Sequence, residues 1–416
     1  MMVMDFLLKN EEFIIRLGYF LTALIILSVI VNKSFIITIE VITLIFFVLL
    51  IILMICNLVV FALLKKPAKI MYLIPLSLII TLIFSHYTFI RYFMVVYSTD
   101  SIIMSHVGAE SILRGENPYK VSLLPHYERF NLPLQFSTPK IDGTFTDVIT
   151  YPAFNFLFFV PFIFFGLNDI RWALLFSHIA TLIVMYIFTP KQYRSLILIP
   201  MFIIPDFLTF TPGGVTDIVW VFLLVLSLKL WNSRPVISYI FIGLASSFKQ
   251  IVWYALPFFS IRLWYEGIDL PYSEKVKRFA IFCTTVGLTF TVVNAPFVID
   301  ARDEWLQAVL APLFPQGAPM VPFGFGLAFM SSFGISMPMR YFTGLTILAI
   351  VVATIAYYLY CDKYPWLMWV LLLVIPLFWW RSLPNYFIYW IPLLAFDFLR
   401  NYAKGENNEI VQHKEI

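Results

Sequence analysis

The sequence predicts an all-α polytopic membrane protein with about twelve transmembrane helices (11–13), and three observations carry that expectation. Hydrophobic residues fill 61% of the 416 positions and charged residues only 12%, with a mean hydropathy of +0.89. Several apolar runs exceed the roughly 18–20 residues that a helix needs to cross a bilayer. Those runs are continuous, whereas a transmembrane barrel would show short alternating segments whose side chains face lipid and lumen in turn. The net charge of +4 suits basic loops at one membrane face and does not point to nucleic acid. Cys56, Cys283 and Cys361 are too few and too scattered for a disulfide scaffold or a metal framework.

Each element follows from hydropathy and the tendency of Lys and Arg to stay in the cytoplasm. Ile14–Val31 is the first span: Asp5, Glu11 and Glu12 dilute the basic residues before it, and no convincing small-residue cleavage site follows, so it does not read as a removable leader. The cluster Lys65-Lys66-Pro67-Ala68-Lys69 places that loop inside, so Phe35–Leu64 returns inward and Met71–Tyr97 runs out again. Residues 98–150 then form a large extracytoplasmic loop. Within it, Asp100–Arg114 reads as an amphipathic helix lying in the interface, ended by Gly115 and Pro118. Phe154–Gly166 and Trp172–Thr189 are both apolar, yet Lys191 and Arg194 belong inside, so one of the two only dips into the membrane. Leu196–Thr211 and Thr216–Leu230 form a hairpin around Pro212-Gly213-Gly214.

Lys229 with Arg234, and later Lys275-Val276-Lys277-Arg278, mark inner loops. Val236–Phe248 and Ile251–Leu263 flank Lys249-Gln250; each is about 20 Å long at 1.5 Å per residue, so they read as half-helices with Lys249 at the break. Residues 300–340 carry Pro312, Pro315, Pro319, Pro322 and four glycines, a composition that predicts a second outer, partly re-entrant loop. Arg400 and Lys404 put the C-terminus inside. The expectation is one transmembrane domain over 1–404, followed by a polar, unstructured cytoplasmic tail over 405–416.

Asp100 is the leading candidate for chemistry, because a carboxylate just outside a span can act on a substrate that stays in the bilayer. The competing reading is an N-cap, whose oxygen would bond the first free N–H groups of the following helix. Lys249 sits amid apolar residues, where a charge costs roughly 2.5–3.5 kcal/mol and is normally paired or functional. Arg381, in Trp379-Trp380-Arg381-Ser382, can grip a phosphate through paired hydrogen bonds, or belong to an ordinary aromatic belt. Asp217 is a second site carboxylate or the cap of its own helix. His106 and His126 lack the spacing of a metal motif, and His178 within an apolar span reads as a core histidine. Asp300, Arg302, Asp303 and Glu304 read as a solvated cluster. One carboxylate and two cations at the outer face match transfer from a lipid phosphate: the acceptor hydroxyl needs a base, and the departing phosphate needs positive charge.

These residues resemble the GT-C superfamily of integral-membrane glycosyltransferases, and within it the polyprenol-phosphate-dependent mannosyltransferases and their relatives. Asp100 followed by Ala109-Glu110-Ser111-Ile112-Leu113-Arg114-Gly115-Glu116-Asn117-Pro118-Tyr119, then Tyr151-Pro152, Gly243 to Gln250 and Asn385-Tyr386-Phe387, carry the resemblance over most of residues 70–400. It departs from the commonest family pattern in that two additional spans precede the acidic loop. The resemblance implies Asp100 as general base and Lys249, with Arg381, on the donor phosphate. Glu116, Asn117, Tyr119 and His126 are further candidates for sugar or acceptor contacts, as are Tyr151, Gln250, Asn385 and Tyr386. It implies inverting transfer of a hexose, mannose-like by preference, from a polyprenyl-phosphate sugar to a lipid-linked or glycan acceptor at the extracytoplasmic face of the cell membrane. No cofactor or obligatory metal is expected, since Lys and Arg can neutralise one phosphate. The alternative is a transporter or flippase of a lipid-linked sugar or small solute, which would also use broken helices and buried charge. A structural or assembly subunit is a third reading, indifferent to loss of either charge.

Overall fold

A computed structural model of the chain describes residues 10–33, 40–93, 96–312, 318–335 and 337–414. Asp5, residues 35–39 of the second expected span, Pro315 and Gly317 lie outside the described residues. The fold is almost entirely helical, and among the described residues six helices are long and apolar enough to cross a membrane. They are α1 (Glu11–Lys33), α2 (Val41–Leu63), α3 (Leu73–Thr88, prolonged by a π-helical turn to Phe93), α5 (Arg171–Phe188), α9 (Tyr272–Asp300) and α11 (Met339–Tyr360). The count reaches seven if one bent helix pair is a single span.

The expected twelve is therefore an overcount, and its cause is local. Proline and glycine cut several apolar runs into pieces, because proline lacks the N–H and its ring displaces the preceding carbonyl. Phe154–Gly166 yields only Phe154–Leu157 and Val160–Phe164, so this segment is the incomplete one and α5 is the long one. Leu196–Thr211 breaks into four-residue turns at Pro200, Pro205 and Phe210, and its partner is the 13-residue α6 (Ile218–Leu230), about 20 Å long. The half-helices expected around Lys249 are present as α7 (Pro235–Ser246) and α8 (Leu256–Glu266), with Lys249 extended between them at φ −154°, ψ 137°. Lys275, Lys277 and Arg278 lie in the first turns of α9, which starts directly after Pro271, and not in a loop. The last helix, α13 (Ile391–Lys414), continues where an unstructured tail is expected. Glu, Gln and Lys propagate helix well enough to outlast the single Gly405.

The described residues divide into two compact units, one from the stretches 10–93, 175–212 and 395–414 and the other from 96–174 and 213–394. In the first unit α1, α2 and α3 share a core of Ile26, Val29, Leu50, Leu53 and Phe84. Arg16 ties off the carbonyl end of α2, donating to Phe61 O at 2.6 Å and Leu64 O at 3.0 Å; a cation there also complements the helix dipole. Leucine, isoleucine and valine cover the outward face of α2, the arrangement that a hydrocarbon solvent rewards.

In the second unit α4 (Asp100–Leu113) is buried on nearly every side: Ile102, Ile103, Val107 and Ala109 are closed off from solvent, as are Ser101, Ser105 and His106. It is thus a core helix of this unit, and the expectation of an interface helix is corrected. Gly108 explains the close packing, since a Cβ there would stand 2.6 Å from Phe156 Cβ. Residues 300–340 are broken, as their prolines predict, into α10 (Arg302–Leu310), β1 (Phe323–Gly324) and a 3₁₀ segment Gly326–Phe333. β1 pairs in parallel with β2 (Arg381–Ser382), which follows the short α12 (Leu367–Val374). Beside this pair, Pro139 bridges Phe145 and Lys140 bridges Met320, with Val321 N donating to Pro139 O at 2.9 Å. A short ladder of extended backbone therefore joins residues 138–146, 319–325 and 380–382.

Candidate functional site

That ladder supplies part of the wall of one cavity of about 390 Å³ in the second unit. Asp100, Thr138, Tyr151, Lys249, Gln250, Arg381, Asn385 and Tyr386 all line it, together with the aromatic rings of Tyr254, Trp379 and Trp380. Most of its wall is apolar with a few convergent polar groups, the composition typical of a small-molecule site.

Asp100 stands at the first position of α4, and it is not the cap. Thr99 precedes it in extended conformation, but its hydroxyl donates sideways to Gly214 O at 3.1 Å and no side chain caps the helix. The Asp100 carboxylate, buried, accepts from Thr138 Oγ at 2.6 Å. Arg381 Nη1 in turn donates to Thr138 Oγ. The guanidinium makes no ion pair with a carboxylate among the described residues, so its charge remains directed at the cavity. A carboxylate at the N-terminus of a helix is also favoured by the helix dipole.

Lys249 is a different kind of cation. Its ammonium lies 2.7 Å from Asp217 Oδ2, and both side chains are buried. Asn385 Nδ2 donates to the same oxygen at 2.9 Å and Trp220 Nε1 to Oδ1 at 2.6 Å. Asp217 thus stands at the N-cap position of α6, but its side chain makes no capping bond and does not line the cavity. It is the fully satisfied counter-ion of Lys249, whose Nζ also sits over the rings of Tyr151 and Tyr386 at 5.2 and 5.5 Å. Gln250 presents its amide edge to the cavity wall, donating to Thr150 O at 2.6 Å and Val309 O at 3.0 Å.

The other sequence candidates lie outside the cavity and hold its surroundings. Asn117 accepts from Tyr119 N at 3.1 Å and donates to Asp300 Oδ2 at 2.9 Å, while Lys120 pairs with Asp300 at 3.0 Å. Tyr119 donates to Tyr151 O at 2.7 Å, and Glu116 is an exposed partner of Arg114. Burial lowers the basicity of His126, reinforced by Arg129 nearby, but the ring does not line the cavity. His106 joins a separate network with Tyr97 at 2.7 Å and Glu110 at 3.2 Å, completed by Arg129 at 2.5 and 2.6 Å from Glu110. Burial opposes ionisation of Glu110, yet hydrogen bonds from Arg129 and His106 win and hold it well below the glutamate range.

Thr138, Tyr254 and Trp380 line the cavity without any signal in the sequence strong enough to select them. The one hint at Thr138 is the following Pro139, which biases the preceding residue toward extended backbone. Among the described residues no cluster of three or more His, Cys, Asp or Glu could hold a metal ion. Compared with known proteins, the chain matches no family model, no curated protein and no solved structure.

Proposed function

We propose that the chain is an integral-membrane glycosyltransferase of the GT-C type, which moves a hexose from a polyprenyl-phosphate sugar to a lipid-linked or glycan acceptor on the extracytoplasmic side. The observation that carries this reading is a carboxylate, Asp100, and a guanidinium, Arg381, without a carboxylate ion pair among the described residues, both facing one aromatic-lined cavity. In the reaction Asp100 accepts the proton of the acceptor hydroxyl as its oxygen attacks the anomeric carbon. The bond from that carbon to the phosphate oxygen breaks, and the electron pair leaves with the polyprenyl phosphate. Arg381 balances the second negative charge that the departing phosphate acquires, and a planar fork of donors fits phosphate oxygens. Attack from the face opposite the leaving group inverts the anomeric centre. Tyr151, Tyr254, Trp379 and Tyr386 offer ring faces to the sugar. Lys249 borders the donor, but Asp217 cancels most of its charge, which leaves Arg381 as the principal phosphate ligand.

The test is reconstitution of wild type and Asp100→Asn in liposomes with a panel of polyprenyl-phosphate hexoses and a membrane lipid extract. Release of free polyprenyl phosphate by the wild type, reduced about 10²–10⁴-fold in Asp100→Asn, is the expected outcome. Absence of turnover with every donor, or equal turnover in the variant, rejects the reading. The buried Lys249–Asp217 pair between broken helices favours the transporter alternative; that reading predicts solute flux that survives Asp100→Asn and fails in Lys249→Met.

A further inference from the structure

The hydroxyl of Thr138 stands between the two charges on which the proposed chemistry depends. A guanidinium has only donors, and an ionised carboxylate only accepts. Thr138 Oγ carries one proton. It therefore accepts from Arg381 and must direct that proton to Asp100 Oδ2, 2.6 Å away. The rotor has one satisfied orientation, and the other carboxylate oxygen stays available to a substrate. The backbone leaves this residue little freedom: Thr138 O accepts from Thr146 N at 2.9 Å and from Thr146 Oγ at 3.2 Å. Its neighbour Pro139 bridges Phe145 and accepts from Val321. Arg381 is held from the far side by its pairing with Phe323.

We propose that Thr138 is a positioning residue, whose hydroxyl couples the Arg381 guanidinium to the Asp100 carboxylate and thereby fixes both the orientation of Asp100 and the ease with which it takes a proton. Only the activity arm of its test rests on the transferase reading. The other charged or titratable groups facing Asp100 across the cavity are Lys249, Tyr151, Tyr254 and Tyr386. Behind it lies Tyr127, whose phenol is pushed up by burial and by the Asp100 charge. None of these touches both ends of the relay.

The experiment compares Thr138→Ser, which keeps the hydroxyl, with Thr138→Val, which keeps the branched shape and removes it. Labelling by dicyclohexylcarbodiimide, which attacks protonated carboxyls, is followed against pH and read at Asp100 by mass spectrometry, with Asp100→Asn as the blank. Losing a donor to the carboxylate is expected to raise the labelling midpoint by roughly one pH unit in Thr138→Val and to leave it in place in Thr138→Ser. An unmoved midpoint in Thr138→Val, or equal movement in both variants, overturns the proposal. In the activity arm, Thr138→Val is expected to lose roughly 10²-fold in kcat with little change in KM, and the acid limb of its kcat profile moves up with the midpoint. Equal kcat loss in Thr138→Ser would mean that packing, not the hydroxyl, matters. A wild type silent with all donors removes the transferase reading while the labelling midpoints still decide the role of Thr138. Should Thr138→Val melt below the wild type, Thr138→Ala, which deletes the hydroxyl without imposing a new shape, replaces it in both arms.

Discussion

Asp217 and Lys249 face each other at 2.7 Å with almost no water contact, and every oxygen of Asp217 is engaged. Removing one partner of such a pair leaves a buried charge unanswered. Lys249→Met alone is therefore expected to destabilise by about 3–5 kcal/mol, and the double variant with Asp217→Asn to recover much of that loss. Thermal unfolding in detergent measures both. A second residue-scale expectation concerns Arg381, where Lys supplies charge without the planar fork. Arg381→Ala should lose about 10²–10³-fold in turnover and Arg381→Lys should regain only part of it, measured as polyprenyl phosphate release. Lys249 was legible in the sequence because a charge amid apolar residues has few uses. Its partner was not, since Asp217 lies 32 positions away and reads equally well as a helix cap.

At the scale of elements, β1 and β2 are only two residues long, yet they place Arg381. The pairing requires Gly324. Its φ is +123°, and a Cβ would lie 2.2 Å from Ser382 O, backbone that cannot swing away. Gly115 is the natural control, with φ +76° and no atom within 4 Å of the added carbon. Gly115→Ala should cost about 1–2 kcal/mol and leave turnover unchanged. Gly324→Ala should cost more, open the strand pair and reduce turnover about 10²-fold through displacement of Arg381; circular-dichroism melts and the liposome assay check the two variants side by side. Proline and glycine announced the broken character of residues 300–340, and the short apolar runs on either side of Lys249-Gln250 announced the half-helices. They did not announce the ladder, because two-residue strands have no hydropathy period to read. The same blindness inflated the number of spans: hydropathy registers the apolar run Leu196–Thr211 but not the two breaks inside it, at Ile204 and Thr209.

At the scale of the molecule, the segment from Leu124 to Phe136 leans on α4 through Arg129 and Glu110. Glu110 has a depressed pKa in the fold, so its contribution is complete above the ordinary glutamate value of 4.5 and is lost as pH falls below it. Acidification from pH 6 to pH 4 and below should loosen this segment, seen as faster hydrogen exchange over 124–136, and Glu110→Gln should already be loose at pH 6. The site itself is assembled from distant parts of the chain, and that has a consequence for its birth. Asp217 meets Lys249 only 32 residues later, within a few seconds of synthesis at roughly 5–20 residues per second. Asp100 and Thr138 must wait for Arg381, about 280 residues downstream of Asp100, for something like a quarter of a minute to a minute. Through that interval the nascent protein carries a seated ion pair and an unseated base. A ribosome stalled before residue 380 should therefore hold a chain whose 138–146 hairpin is cut by protease, and synthesis through and beyond Arg381 should close it.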